Sequence, residues 1–244
     1  DLLLIHGWNS FLPMWAYVQP HMQQHFRMIL PELRGHGRST ELTTHTSIEV
    51  FAQDLVELLD VLMINSCIVA GHSLGGFIAQ QIALDAPERV RALILICTGP
   101  RIDVEAVASL NWEDQITYDL SPEEAVEKRM KFDFYNPNKL RTIPGMLELL
   151  QKDETQRQTH LVSHGYAALA PLKFNSEERL GEIHMPTLII QCAHDPLFPI
   201  HIGEFLHTHL SNSSLRIIND TGHSIQLEQP EALVQTIIEF SKSL

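Results

Sequence analysis

The chain has 244 residues, of which 44% are hydrophobic and 19% charged; this balance excludes intrinsic disorder and suffices for one core with a pocket. Seventeen Lys+Arg stand against 30 Asp+Glu, and the net charge of −13 sets the surface against nucleic acid and anionic membranes. No apolar run approaches the roughly 18 residues of a membrane span, and three scattered cysteines, Cys67, Cys97 and Cys192, make neither a disulfide framework nor a zinc site.

Short apolar runs at 2–5, 27–30, 67–70, 92–97, 187–191 and 215–218 predict strands. Their apolarity is continuous rather than alternating, as in strands of a parallel sheet covered on both faces. Between them, the spacing predicts helices at 13–25, 48–63, 74–86, 200–210 and 230–243. Ile48, Ala52, Leu55, Leu59 and Leu62 recur at threes and fours and form one apolar face, with Ser47 or Thr46 as N-cap. Pro87 stops the third of these helices, and Pro186 precedes the strand at 187. The alternation implies right-handed crossovers and an α/β, doubly wound, mostly parallel sheet.

The rhythm breaks between residues 100 and 185, where helix-like runs at 105–109, 121–132, 143–152 and 156–169 follow one another without a strand. Some 85 residues is far more than one crossover needs. The segment carries Tyr118, Phe132, Phe134, Tyr135, Tyr166, His160 and His164, and is expected to be a helical insertion. Residues 1–99 and 186–244 are then the core. Cysteines inside apolar runs, and the lack of a basic leader with a cleavage site, fit a reducing, cytoplasmic setting.

The chemistry concentrates at Gly71-His72-Ser73-Leu74-Gly75, followed by Gly76. It lies between a predicted strand and a predicted helix. A turn this tight strains its central residue and lifts the Ser73 hydroxyl over the carboxyl end of the sheet. A serine hydroxyl needs a base to become a nucleophile. Among 14 histidines, His223 stands out because it follows the last strand and so reaches the same sheet edge. The base needs an acid to fix its tautomer. Asp195 follows the strand at 187–191 and is favoured over Asp220, three residues from His223 on one loop, and over Asp103.

The order Ser73, Asp195, His223 and the nucleophile elbow resemble the α/β-hydrolase superfamily, in particular serine carboxylesterase-like members with a helical cap. The likeness spans nearly the whole chain and extends to His6-Gly7-Trp8 and to Glu32-Leu33-Arg34-Gly35-His36-Gly37-Arg38-Ser39. The latter resembles the family's Asp-x-Arg-Gly-His-Gly-x-Ser turn with Glu32 for Asp; Ala193 stands where the family often has Gly. The resemblance implies a cap at 100–185, two strands ahead of the His-Gly strand that this sequence lacks, and an oxyanion hole from the backbone N–H groups of Trp8 and Leu74. Trp8 and His72 are candidate substrate contacts. No cofactor and no metal are implied. The expected activity is hydrolysis of a small carboxylic ester, or a thioester, through an acyl-enzyme. Carbon–carbon hydrolysis, acyl transfer and peracid formation use the same residues in similar proteins, and a slow-turnover small-molecule receptor is the reading outside enzymes.

Overall fold

Six strands form one sheet in the computed structural model, which describes residues 1–8, 10–105 and 120–244. They are β1 (Leu2–Ile5), β2 (Met28–Ile29), β3 (Cys67–His72), β4 (Val90–Ile96), β5 (Thr187–Cys192) and β6 (Ser213–Ile218). Their order is β2-β1-β3-β4-β5-β6, and every neighbouring pair is parallel. β1, β3 and β5 are buried at every position, as their continuous apolar runs require. β6 is half-exposed because it closes one edge.

Side chains alternate between the two faces, so each face has its own apolar layer. Leu3, Ile5, Val69, Leu93 and Ile189 pack with residues of α2 (Ile48–Val61), α3 (Leu74–Asp85) and α8 (Ile200–His209). Leu2, Leu4, Ile68, Ile94 and Ile190 pack with Trp15, with Met22 of α1 (Gln19–Met22) and with Leu233 and Ile237 of α10 (Pro230–Ser241). Each buried Leu or Ile contributes about 1.5–3 kcal/mol through removal from water.

The helix expected at 13–25 is instead a 3-10 turn at Leu12–Trp15 followed by α1. Pro20 sits in the first turn of α1; it lacks an amide hydrogen and clashes with a preceding helical turn, so one helix cannot run through it. Ser47 rather than Thr46 caps α2, its hydroxyl accepting the Val50 N–H at 3.4 Å. α2 ends at Val61, and Met63 turns the chain at φ 55°.

Between β4 and β5 lie α4 (Pro122–Asp133), α5 (Pro137–Arg141), α6 (Met146–Thr159) and α7 (Leu161–Leu169). Ser121 and Glu124 form a reciprocal capping box at the start of α4. Val126, Met130, Leu140, Met146 and Leu150 make a third apolar cluster, which Met14 and Leu227 share. The two runs expected at 143–152 and 156–169 become α6 and α7, with the break at His160 rather than near residue 154. The expected helix at 105–109, apart from Glu105, and Tyr118 lie outside the described residues. The insertion is drawn together at its base: Arg101 bridges Asn175, and the Ser176 N–H donates to the Pro100 carbonyl at 3.0 Å.

Candidate active site

The chain leaves β1 toward β2 on one side and returns to β3 on the other, which opens a crevice at the carboxyl ends of β1 and β3. Ser73 stands there, between β3 and α3, at φ 53° and ψ −118°. Such a backbone is costly for a non-glycine residue and persists only where the surroundings enforce it. Here they do. The Ser73 N–H donates to the Ile96 carbonyl at 2.9 Å, and the Thr98 hydroxyl donates to the Ser73 carbonyl at 2.9 Å. A Cβ on Gly71 would lie 2.0 Å from the Gly75 carbonyl oxygen, and one on Gly75 would lie 2.4 Å from the Ile5 carbonyl oxygen, so only glycine lets the elbow close.

His223 follows β6 on a loop that returns to the same crevice. Its Nδ1 lies 2.8 Å from Asp195 Oδ2. The other carboxylate oxygen of Asp195 accepts the N–H groups of Leu197 and Phe198 at 2.8 and 3.1 Å, which fixes the plane of the acid. Of the three acids weighed, Asp195 is the one that meets the imidazole; Asp103 lines a separate cavity wall. Burial works against a charged imidazole, but the charge and hydrogen bond of Asp195 outweigh it and hold His223 above the ordinary histidine value; Asp133 acts in the same direction and Arg129 against it.

Ser73 and His223 line one small cavity of about 80 Å³. Among the described residues no hydrogen bond joins them, and contacts of this kind commonly tighten only when substrate is bound. Ser10, Arg129, Asp133 and Arg157 give the cavity a polar wall. Arg129 is buried and pairs with Asp133 at 2.8 Å and with Asp153; Arg157 pairs with Glu154 at 2.9 Å. Buried charges need such partners. On the other side of Ser73 lies a larger cavity of about 420 Å³, walled by Trp8, Leu74, Phe77, Ile102, Leu169, Leu172 and Phe198.

Trp8 borders both cavities, and its indole N–H donates to the His164 carbonyl of α7 at 2.9 Å, tying the β1 exit to the insertion. A Cβ on Gly7 would lie 3.2 Å from Ser73 Cβ, so this exit runs directly past the serine. Leu74 opens α3, where the first amides have no partner within the helix and carry the positive end of its dipole. His72 also borders the small cavity, yet its Nε2 is engaged by the His223 carbonyl at 2.8 Å. Burial, then the charge of His223, lower its pKa to about 3, so His72 is a neutral donor that holds the histidine loop.

Sequence reasoning did not find Arg129, Asp133 or Arg157, because their place depends on how the insertion folds back. It also missed Glu228, whose only signal was its position five residues after His223 and two before Pro230. Among the described residues no three His, Cys, Asp or Glu side chains gather as metal ligands, and no helix is long and apolar enough to cross a membrane.

A strand-elbow-helix serine facing an imidazole–carboxylate pair at the edge of a parallel sheet is the architecture of a hydrolase. The family model described as the alpha/beta hydrolase fold matches residues 2–230, and the chain belongs to that family. It is 26% identical to a pimeloyl-[acyl-carrier protein] methyl ester esterase of Yersinia enterocolitica, over 99% of this chain and 93% of the relative. It is 27% identical to 3-oxoadipate enol-lactonase 2 of Acinetobacter baylyi, over 95% and 84%. Among solved structures, a thermophilic esterase from Thermogutta terrifontis is 26% identical with a TM-score of 0.82, covering 99% of this chain and 89% of that one.

Proposed function

We propose that this hydrolase cleaves a carboxylic ester through an acyl-enzyme on Ser73, with His223 as base and acid and Asp195 as the group that orients it. The observation that carries the reading is the placement of a strained serine in the wall of the cavity that holds the Asp195-bound imidazole. His223 Nε2 takes the Ser73 proton as Oγ bonds the acyl carbon, and the backbone N–H groups of Trp8 and Leu74 receive the oxyanion. The bond to the leaving oxygen then breaks, and that oxygen takes the proton from His223. Water enters, gives its proton to His223 and attacks the acyl carbon; the acyl–Oγ bond then breaks, Ser73 Oγ takes the proton back from His223 and the acid leaves.

The two cavities support a division of the substrate between them. The leaving oxygen must meet His223, which borders the small cavity and not the larger one, so the small leaving group occupies that side. The acyl chain occupies the larger apolar cavity beside Leu74. The helices α4, α6 and α7 act as the cap, contributing Arg129, Arg157 and Leu169 to the cavity walls. Relatives named as a methyl ester esterase and an enol-lactonase fit a small or tethered leaving group. Trp8 touches substrate in both halves; His72 serves the loop instead.

The test is a panel of methyl, butyl and octyl esters over acyl chains of graded length, with an enol-lactone and a carbamate beside it. A fluorophosphonate is expected to label Ser73, and Ser73→Ala to abolish labelling and turnover. Methyl esters of medium-length acids are expected to be turned over fastest. Labelling that persists in Ser73→Ala, or turnover of no ester in the panel, overturns the reading.

A further inference from the structure

We infer that Glu228 is a positioning residue that joins the inserted helices to the His223 loop, so that the imidazole is held against Asp195 only while the insertion is docked. The role rests on the reading of Ser73, Asp195 and His223 above; the joint itself is a matter of geometry. Glu228 ends the one-turn helix α9 (Ile225–Glu228) and is 6% exposed. One carboxylate oxygen accepts the Gly222 N–H at 2.7 Å and the Thr221 hydroxyl at 3.4 Å. The other accepts the N–H groups of Tyr135 and Asn136 at 2.9 and 3.3 Å. The first pair precedes His223 directly; the second lies just beyond α4. A single carboxylate therefore spans the seam between histidine loop and insertion.

The surroundings press the same two pieces together. The His223 N–H donates to the Asp133 carbonyl of α4 at 3.0 Å. A Cβ on Gly222 would lie 2.7 Å from that carbonyl oxygen and 2.9 Å from the Tyr135 nitrogen, so the loop has no room for any other residue. The Tyr135 ring stacks on His194, with centroids 3.9 Å apart, and the His194 N–H donates to the Thr221 carbonyl at 3.1 Å. His194 is the neighbour of Asp195. Insertion, histidine loop and acid loop thus meet within one residue of the pair they support.

Only a carboxylate serves this seam. Four donors converge on two oxygens, and both oxygens must accept. Gln has nearly the same shape but turns an NH2 group toward the N–H groups on one side, so it keeps the packing and opens the joint. A buried acid that merely fills space would tolerate the exchange; a joint would not.

The test compares Glu228→Gln in two backgrounds. The rate of Ser73 labelling by a fluorophosphonate is expected to fall about tenfold or more in otherwise wild-type enzyme, because a small misplacement of a reacting group costs this much. In enzyme already carrying His223→Ala the same change is expected to cost less than about twofold, since nothing remains to be positioned. Hydrogen exchange at residues 135–136 and at 222–223 is expected to rise together. Should Glu228→Gln fail to fold, Tyr135→Ala, at a half-exposed ring, loosens the seam more gently and is expected to raise exchange at 222–223 across it.

Equal slowing with and without His223, or faster exchange on one side only, overturns the positioning role while leaving Ser73 and His223 in place. Wild-type enzyme that resists the probe, or His223→Ala enzyme that labels as fast as wild type, sinks the reading of the serine and histidine and the role of Glu228 with it.

Discussion

Asp195 and the protein interior pull the His223 imidazole in opposite directions, and the sign of their sum governs activity against pH. Burial favours the neutral ring, Asp195 favours the charged one, and the charged form gains. A base must be neutral to accept the serine proton. The rate kcat/KM is therefore expected to fall on the acid side of a midpoint lying above the ordinary histidine value near 6.5. Asp195→Asn removes the main influence holding the ring up. It is expected to cost about 10⁴ in kcat and to move the residual acid limb to lower pH. A kcat/KM profile for both enzymes checks this; an unmoved limb would assign the titration to another group. The elbow makes a second demand at this scale. Gly75→Ala places a methyl group 2.4 Å from the Ile5 carbonyl oxygen, a contact with rigid backbone, and is expected to destabilise the fold by about 3 kcal/mol or more in a urea titration. Ser73 and its glycines were legible because their need is local: a sharp turn dictates its own residues. Arg129, Asp133 and Arg157 were not, because nothing within α4 or α6 says which way those helices face once folded over the sheet.

Helices and strands differ in how far their sequences reach. β1, β3 and β5 read correctly because burial on two faces leaves no polar position to mislead. The segment at 13–25 misled because its apolar spacing is helical while Pro20 forbids one continuous ladder. In the insertion three helices were legible, but the short helix at Pro137–Arg141 and the break at His160 were not: the first is too short to show a period, and no proline or glycine marks the second. α7 offers a direct experiment on the larger cavity. Gly165 lies in this helix and in the cavity wall, and a Cβ there would meet nothing within 4 Å. A helical glycine costs about 1 kcal/mol relative to alanine, so a side chain is tolerated by the backbone. Gly165→Phe is expected to fold as well as the wild type and to narrow the larger cavity, where the proposal seats the acyl chain. Each methylene it excludes removes about 0.8 kcal/mol of binding, roughly a fourfold loss in kcat/KM. The chain-length optimum among methyl esters should shift shorter, with labelling by a small fluorophosphonate unchanged. An unshifted optimum would place the acyl chain elsewhere.

For the molecule as a whole, the buried histidines set the response to acid. Burial lowers His6 to a pKa of about 4, against opposing influence from the Gly7 carbonyl and Glu32. Burial with nearby positive groups lowers His72 to about 3, and His164 to about 3, and puts His36 well below its usual value. In the unfolded chain all four titrate near 6.5. Between that value and about 4 the unfolded chain therefore binds protons that the folded one refuses, and stability falls as pH falls. Each histidine contributes a slope of up to about 1.4 kcal/mol per pH unit in that window. His223 has the opposite sign: its raised pKa adds stability that is fully present below 6.5 and is lost as pH rises through the folded value. Asp153 and Glu228, whose carboxyls burial holds up, also work against the loss, but two such groups face four histidines. Carboxyls of an unfolded chain take up protons only near pH 4, so a decline between about pH 6.5 and 5 reports the histidines. The urea midpoint is expected to drop steadily across that interval. His164→Gln, which keeps a polar side chain of similar size but cannot titrate, is expected to flatten the slope by up to one proton's share. A midpoint that holds level down to pH 5, or a slope indifferent to His164, would mean that the interior admits the charged rings and that the packing around His6, His36 and His164 yields to water as the acid limit is approached.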